Sequence, residues 1–299
     1  MSISGIRKRK RVFTAFVTIF IGFSAFLFIM PTVLTIANSF MTSGEISANY
    51  GAMFGNMVDD KKTYISETLN LKFIPDKVSF NQYETVLFRS PEYLVKFWNS
   101  VILVVPITLF QVIVALFTSY GFARHSGRIK EIIFFGYIIL MLMPYQVTLV
   151  PNYLVADKFG ILDTRWAIIL PGVFSPFSVF LLTKVMRRIP FSYIEAAKLD
   201  GASEMQIFRH ICLPLCKGAI VSVVLIIFID YWNMVEQPLI MVANKDMHPL
   251  SVFLSEINTG DIGIAFCVAV IYMLPTLLMF LYGEDYLVEG ITYAGGIKG

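Results

Sequence analysis

Ile189, Pro190, Phe191, Ser192, Tyr193, Ile194, Glu195, Ala196, Ala197, Lys198, Leu199, Asp200, Gly201, Ala202, Ser203 and Glu204 form the stretch of this 299-residue chain whose reading decides its fold. Ser192, three residues before Glu195, has the spacing of a capping box, in which a hydroxyl and a carboxylate satisfy the first free amides of a helix. Asp200 and Gly201 predict its end, because glycine enters the left-handed conformation of a helix terminus at little cost. Ser203 and Gln206 repeat the capping pattern and open a second helix, which Pro214 is expected to close. Ile207, Phe208, Ile211 and Cys212 share one face of that helix, while Glu204, Arg209 and His210 turn elsewhere. The stretch is thus read as two short helices meeting in a sharp bend at Gly201.

This polar elbow lies between strongly apolar neighbours. The chain is 57% hydrophobic and 15% charged, against roughly 25% charged in a soluble domain, and its mean hydropathy is +0.70. A water-soluble globule is excluded on these figures. Runs free of Asp, Glu, Lys and Arg cover residues 12–44, 97–123, 132–156, 166–183 and 262–283, each long enough for the roughly 20 residues of a bilayer crossing or nearly so. Residues 218–244 form a sixth run that holds Asp230 and Glu236. The first run is too long for a signal-peptide core and is expected to stay as an uncleaved helix. The fold expected is an all-α integral membrane protein of six transmembrane helices, one domain over 1–299, with the core spans at about 97–283. Pro144 in the third run and Pro171 and Pro176 in the fourth mark expected kinks.

Arg7, Lys8, Arg9, Lys10 and Arg11 precede the first run, which places the N-terminus in the cytoplasm; six crossings return the C-terminus there. On that topology the formal net charge of +3 resolves into +8 inside, −3 outside and −2 from Asp230 and Glu236. The small total argues against a nucleic-acid partner, and the basic N-terminal run is read as an anchor on anionic membrane lipid. Residues 45–96 form an expected external cap, 184–217 the cytoplasmic elbow and 284–299 a cytoplasmic tail. Cys212, Cys216 and Cys267 are too few for a disulfide framework; with Pro214 between the first two and no fourth ligand near His210, they are packing residues and no metal is expected. No nucleophile with a base and no paired carboxylates share a site, so an enzyme is not expected.

Glu195, Ala196 and Ala197, then Asp200, Gly201 and Ala202, then Ile211, Leu213 and Pro214 resemble the EAA loop of permease subunits of ATP-binding-cassette importers. The resemblance extends to Asn99 and Ser100, to residues 120–124, to Trp232, Asn233, Pro238 and Leu239, and to the tail 294–299, which is similar to tails of the maltose-type, carbohydrate-importing branch. It is weakest over about 45–71. The resemblance implies a coupling helix seated on a separate ATPase subunit, with Glu195, Ala196, Ala197, Asp200 and Gly201 at the contact and Gly295, Gly296 and Lys298 of the tail reaching the same partner. It also implies a second homologous permease, two ATPase subunits that hold ATP and magnesium, an extracytoplasmic solute-binding protein met by the outer loop 244–260, and a bacterial or archaeal cytoplasmic membrane. This chain has no phosphate loop of its own, and no cofactor is expected on it.

Charged residues inside a span are functional candidates by default. Asp230 and Glu236, with Tyr231, Trp232, Asn233, Tyr145 and Gln146, are the candidate sugar pathway, since rings stack on sugar faces and carboxylates accept from hydroxyls. Structural pairing of either acid is the competing reading. Three functions follow: an ATP-driven sugar importer's permease, an ion-coupled secondary transporter in which Asp230 and Glu236 carry the ion, and an intramembrane enzyme. The elbow favours the first, because the other two have no use for it.

Overall fold

The computed structural model describes residues 3–54, 70–125, 127–256 and 262–295. Among them every regular element is helical: α1 (Ile3–Asn38), α2 (Ser43–Phe54), α3 (Asn81–Glu84), α4 (Pro91–Arg124), α5 (Arg128–Met141), α6 (Tyr145–Lys158), α7 (Trp166–Gly172), α8 (Pro176–Met186), α9 (Phe191–Leu199), α10 (Glu204–Ile207), α11 (Leu213–Leu215), α12 (Lys217–Trp232), α13 (Glu236–Met241), α14 (Leu250–Ser255) and α15 (Ile262–Gly295). Wide π-helical turns follow α3 and α10, and a short 3₁₀ turn covers Lys245–Met247.

The all-helical architecture is the expected one, but the spans are less regular than six straight rods. Four helical stretches are long and apolar enough to cross a membrane, Phe13–Asn38, Pro91–Arg124, Trp166–Met186 and Ile262–Tyr286; two bent pairs bring the number to six if each pair is one span. The third apolar run is one of these pairs. It breaks before Pro144, and α5 and α6 meet at 104°. Proline disfavours helical backbone in the residue before it, and Pro144 itself is extended, at ψ 144°, as the N-cap of α6. The fourth run breaks between α7 and α8, where Ser175 caps the new helix by accepting from the Ser178 amide and Pro176 occupies the first turn.

The sixth apolar run is likewise not one continuous helix. α12 has 16 residues, about 24 Å at 1.5 Å per residue, short of a hydrocarbon core of about 30 Å. It ends at Trp232, and α13 begins at Glu236. Both acids therefore flank a break instead of sitting within a rod.

The chain divides into two compact units, Met1–Pro91 with Ile257–Ile271 and Glu92–Glu256 with Tyr272–Gly299. In the first, Met41, Ile46 and Tyr50 form a small core packed on Ile262 and Phe266. Gln82 Nε2 donates to the Met41 carbonyl at 2.6 Å, and Lys72 bridges Glu45 and Asp76. Those two acids hold the Lys72 ammonium above its ordinary pKa, Asp76 contributing most.

The second unit is organised by a stripe on α4. Asn99, Leu103, Ile107, Gln111, Ala115 and Ser119 recur every four residues and are all buried, the spacing of one helix face. Its apolar members join a core with Ile168 and Ile169 of α7, Val179 and Leu182 of α8 and Val223 and Ile227 of α12. Its polar members fasten the ends: Ser119 Oγ donates to the Val179 carbonyl at 3.0 Å, and Asn99 donates to the Asp246 and His248 carbonyls while accepting from Arg165 at 2.9 Å. α12 is tied to Tyr272 of α15 by a reciprocal pair, Trp232 Nε1 to the Tyr272 carbonyl at 3.0 Å and Tyr272 hydroxyl to the Trp232 carbonyl at 2.9 Å.

Candidate functional site

The elbow is built by its sequence, though not at every predicted position. α9 starts two residues earlier than the capping-box pattern implies: Pro190 is its N-cap, with no side-chain cap, and Ser192 lies inside the first turn. Once Pro190, with its fixed φ, takes the cap, the Ser192 hydroxyl no longer stands where it could serve the free amides. The other end follows the reading. Gly201 has φ +81°, its amide donates to the Lys198 carbonyl at 3.0 Å and the Ala202 amide to the Ala197 carbonyl at 2.9 Å, the two bonds of a Schellman motif. Ser203 and Gln206 form the predicted reciprocal box at the start of α10.

Pro214 does not end the second helix. The Leu213 amide reaches back five residues to the Phe208 carbonyl, and this wider turn lets the chain pass the proline, run to Leu215 and bend by 76° into α12. Ile207, Phe208 and Cys212 are buried with Ile194, Met186, Ile189 and Cys216, and Ile211 packs beside them. Cys212 and Cys216 are thus part of an apolar core.

The elbow is clamped to the end of α4. Phe208 stacks on Phe117 and meets Tyr120 edge-on, each at 5.1 Å between ring centres. Tyr120 donates its hydroxyl to Glu204, whose other carboxylate oxygen lies 2.7 Å from Lys198 Nζ. Lys198 first and Tyr120 second hold the Glu204 carboxyl below its ordinary pKa. This clamp leaves Glu195, Ala196, Asp200 and Gly201 exposed, with Ala197 half-buried against the core. Around them Phe191, Tyr193 and Met205 are exposed, and Leu199 is 89% exposed. Of the tail residues singled out, Gly295 closes α15 and Gly296 and Lys298 lie outside the described residues.

The second feature is a cavity of about 720 Å³ where three helical breaks converge. Asp230, Tyr231, Asn233 and Glu236 line it from the gap between α12 and α13, Tyr145 and Gln146 from the start of α6, and Ser175, Phe177 and Ser178 from the start of α8. Six of the seven candidate pathway residues are therefore together. Trp232 is the correction: it is 1% exposed, packed among Phe97, Phe228 and Tyr272, and absent from the wall. Two residues along a helix are half a turn apart, so Asp230 and Trp232 face opposite ways. Asn233 is held by its neighbours, donating to the Ile229 carbonyl at 2.7 Å and accepting from the Tyr272 hydroxyl at 2.7 Å. Tyr231 is positioned by Gly172, where a Cβ would lie 3.1 Å from the tyrosine hydroxyl and 2.9 Å from Ile107.

Residues 88–287 match the family described as binding-protein-dependent transport system inner membrane component. The chain belongs to this family. The permease is 31% identical over 240 residues, 77% of its length and 83% of the relative's, to the arabinooligosaccharides transport system permease protein AraQ of Bacillus subtilis. It is 27% identical over 205 residues, 68% of its length and 74% of the relative's, to the lactose transport system permease protein LacG of Rhizobium radiobacter. Its fold matches a chain in the crystal structure of a bacterial ABC transporter involved in the import of the acidic polysaccharide alginate, with TM-score 0.77, 18% identity and coverage of 96% of this chain and 98% of that one.

Gln111 and Ser178 are two of the wall residues that sequence reasoning did not assign to the pathway. Gln111 is 2% exposed and donates from Nε2 to Ser178 Oγ at 3.0 Å, while its Oε1 has no partner among the described residues. The signal open to a reader of the sequence was a lone amide in the apolar run 101–118 of the permease.

Proposed function

We propose that this chain is one permease subunit of an ATP-driven carbohydrate importer, with six crossings, both termini in the cytoplasm, and half of the translocation pathway. The observation that carries this reading is the elbow. Its motif face is bare, rigidly capped and clamped to α4, which suits a surface that receives force from a partner. The contact assigned to a separate ATPase subunit is Glu195, Ala196, Ala197, Asp200 and Gly201, and the tail residues Gly295, Gly296 and Lys298 are assigned to the same partner. Small side chains there admit close approach of another backbone, and the exposed Leu199 and Phe191 offer apolar area to bury. ATP and magnesium act in that partner.

The cavity supplies the other half of the reading. Asp230, Glu236 and Gln146 accept or donate hydrogen bonds, and Tyr145, Tyr231 and Phe177 offer ring faces, the combination sugars need. Its walls come from the starts and ends of broken helices, which can pivot without breaking a continuous hydrogen-bond ladder. In the assembly proposed, a second homologous permease completes the pathway, two ATPase subunits drive it and an extracytoplasmic solute-binding protein delivers the sugar to the outer loops, including 244–256. The names of the relatives, arabinooligosaccharide and lactose permeases, support an oligosaccharide as cargo.

The test is reconstitution of the chain with its partner permease, ATPase and binding protein in proteoliposomes. Uptake of labelled oligosaccharide is expected only with ATP on the ATPase side. Uptake driven by a proton or sodium gradient alone, without ATPase, overturns the reading and makes Asp230 and Glu236 ion carriers.

A further inference from the structure

The cavity has a sign. Of its fifteen lining residues two are charged and both are acids, Asp230 and Glu236; among the described residues no Lys, Arg or His contributes to the wall. Among the described residues neither carboxylate has an ion-pair or hydrogen-bond partner, and both are exposed to the open space. A structurally paired acid would be neutralised by a neighbour. Within this chain neither is neutralised in that way, and both face the cavity.

A second, independent observation points the same way. Gln111 Oε1 is buried without a donor, on a side chain that forms part of the wall. A buried acceptor without a partner is unfavourable, and a ligand hydroxyl or amino group relieves it. The ends of helices at the wall would oppose this trend if their amides were free, because a helix start favours anions. At α6 and α8 some of them are taken, while the short α13 opens at the wall without a side-chain cap. The Val147 amide of α6 is taken by the Pro144 carbonyl, the Ser178 amide of α8 by Ser175 Oγ, and Pro176 has no N–H.

Resting on the carbohydrate reading above, we propose that the pathway through this chain selects by charge. It accepts saccharides without carboxylate or phosphate groups, whose hydroxyl or amino hydrogens donate to Asp230, Glu236 and Gln111 Oε1, and it rejects uronate chains and glycerol phosphates. The fold does not dictate this preference, since a chain of similar fold belongs to a transporter of an acidic polysaccharide. The residues at the break set it.

The assembled complex of this permease, its partner permease and the ATPases, without the binding protein, separates this idea from the general one. Equilibrium binding is measured for three matched trisaccharides, one of glucose, one of glucosamine and one of galacturonic acid, at low and high salt. Glucose and glucosamine trimers are expected to bind, with the galacturonate trimer about tenfold weaker or worse at low salt, a gap of the size that like charges produce in a partly shielded site. The double variant Asp230→Asn, Glu236→Gln should close that gap, whereas Gln111→Leu should weaken all three trimers to the same degree. Equal binding of the galacturonate trimer to the unmodified complex, or a gap that survives in the double variant, overturns charge selection and leaves the carbohydrate reading standing. Failure of every trisaccharide to bind brings down the carbohydrate reading and this proposal with it.

Discussion

Gly201 is where one dihedral angle determines the shape of the elbow. At φ +81°, with no atom within 4 Å of the place a Cβ would occupy, the glycine is required by backbone conformation and not by crowding. Gly201→Ala is therefore expected to cost about 1 kcal/mol through the left-handed conformation alone, and Gly201→Val more, because branching at Cβ narrows the choice further. Thermal unfolding of the purified complex checks this; an alanine variant as stable as the parent would show that the turn is held by something else. The same scale shows what local sequence reveals. Ser203 and Gln206 were legible because both halves of the box lie within four residues. Ser192 misled because the identical spacing is preceded by a proline that takes the cap. Gln111 was illegible as a wall residue, since its facing depends on Ser178, 67 positions away.

Among the elements, the clamp between α4, α9 and α10 depends on the ionised state of Glu204. Its carboxyl is held below the ordinary value, so the bonds to Lys198 and Tyr120 contribute fully above the ordinary carboxylate pKa and are lost as pH falls through the lowered one. Amide hydrogen exchange over residues 191–212 should therefore stay constant from about pH 8 to 6 once intrinsic exchange rates are corrected, and rise below about pH 4. Glu204→Gln should exchange faster at neutral pH and lose that acid-dependent step; an unchanged profile would mean the carboxylate holds nothing. Helix breaks were readable at this level from Pro144, Pro171 and Pro176. The angles were not, because a proline says where a ladder is interrupted while the packing of both halves decides how far they diverge. The gap between α12 and α13 carried a weaker signal, Asn233 and two acids near Pro238, and the apolar composition on either side concealed it.

For the whole molecule, the charge pattern predicts which surface faces which compartment. Ala196 of α9 and Asp246 of the loop before α14 are both exposed, and the proposed topology places a single crossing between them. The native cysteines are buried. Ala196→Cys should thus react with a membrane-impermeant thiol reagent in inverted vesicles stripped of the ATPase subunits and not in intact cells, and Asp246→Cys the reverse. Labelling of both from one side would mean that α12 and α13 do not cross together. The all-helical class and its apolar runs were legible from composition because a bilayer constrains length and polarity so strongly. The cavity was not, as it arises from three breaks far apart in sequence.

The loop that precedes α14 is gripped by its backbone. Asn99 reads the carbonyls of Asp246 and His248, Arg165 braces Asn99, and Ser100 Oγ accepts the Leu250 amide. The grip does not depend on which side chains stand at 245 and 246, both of which point outward and are exposed. Such a loop can exchange its surface residues freely while its position stays fixed, so that partner recognition and structural integrity are free to evolve separately.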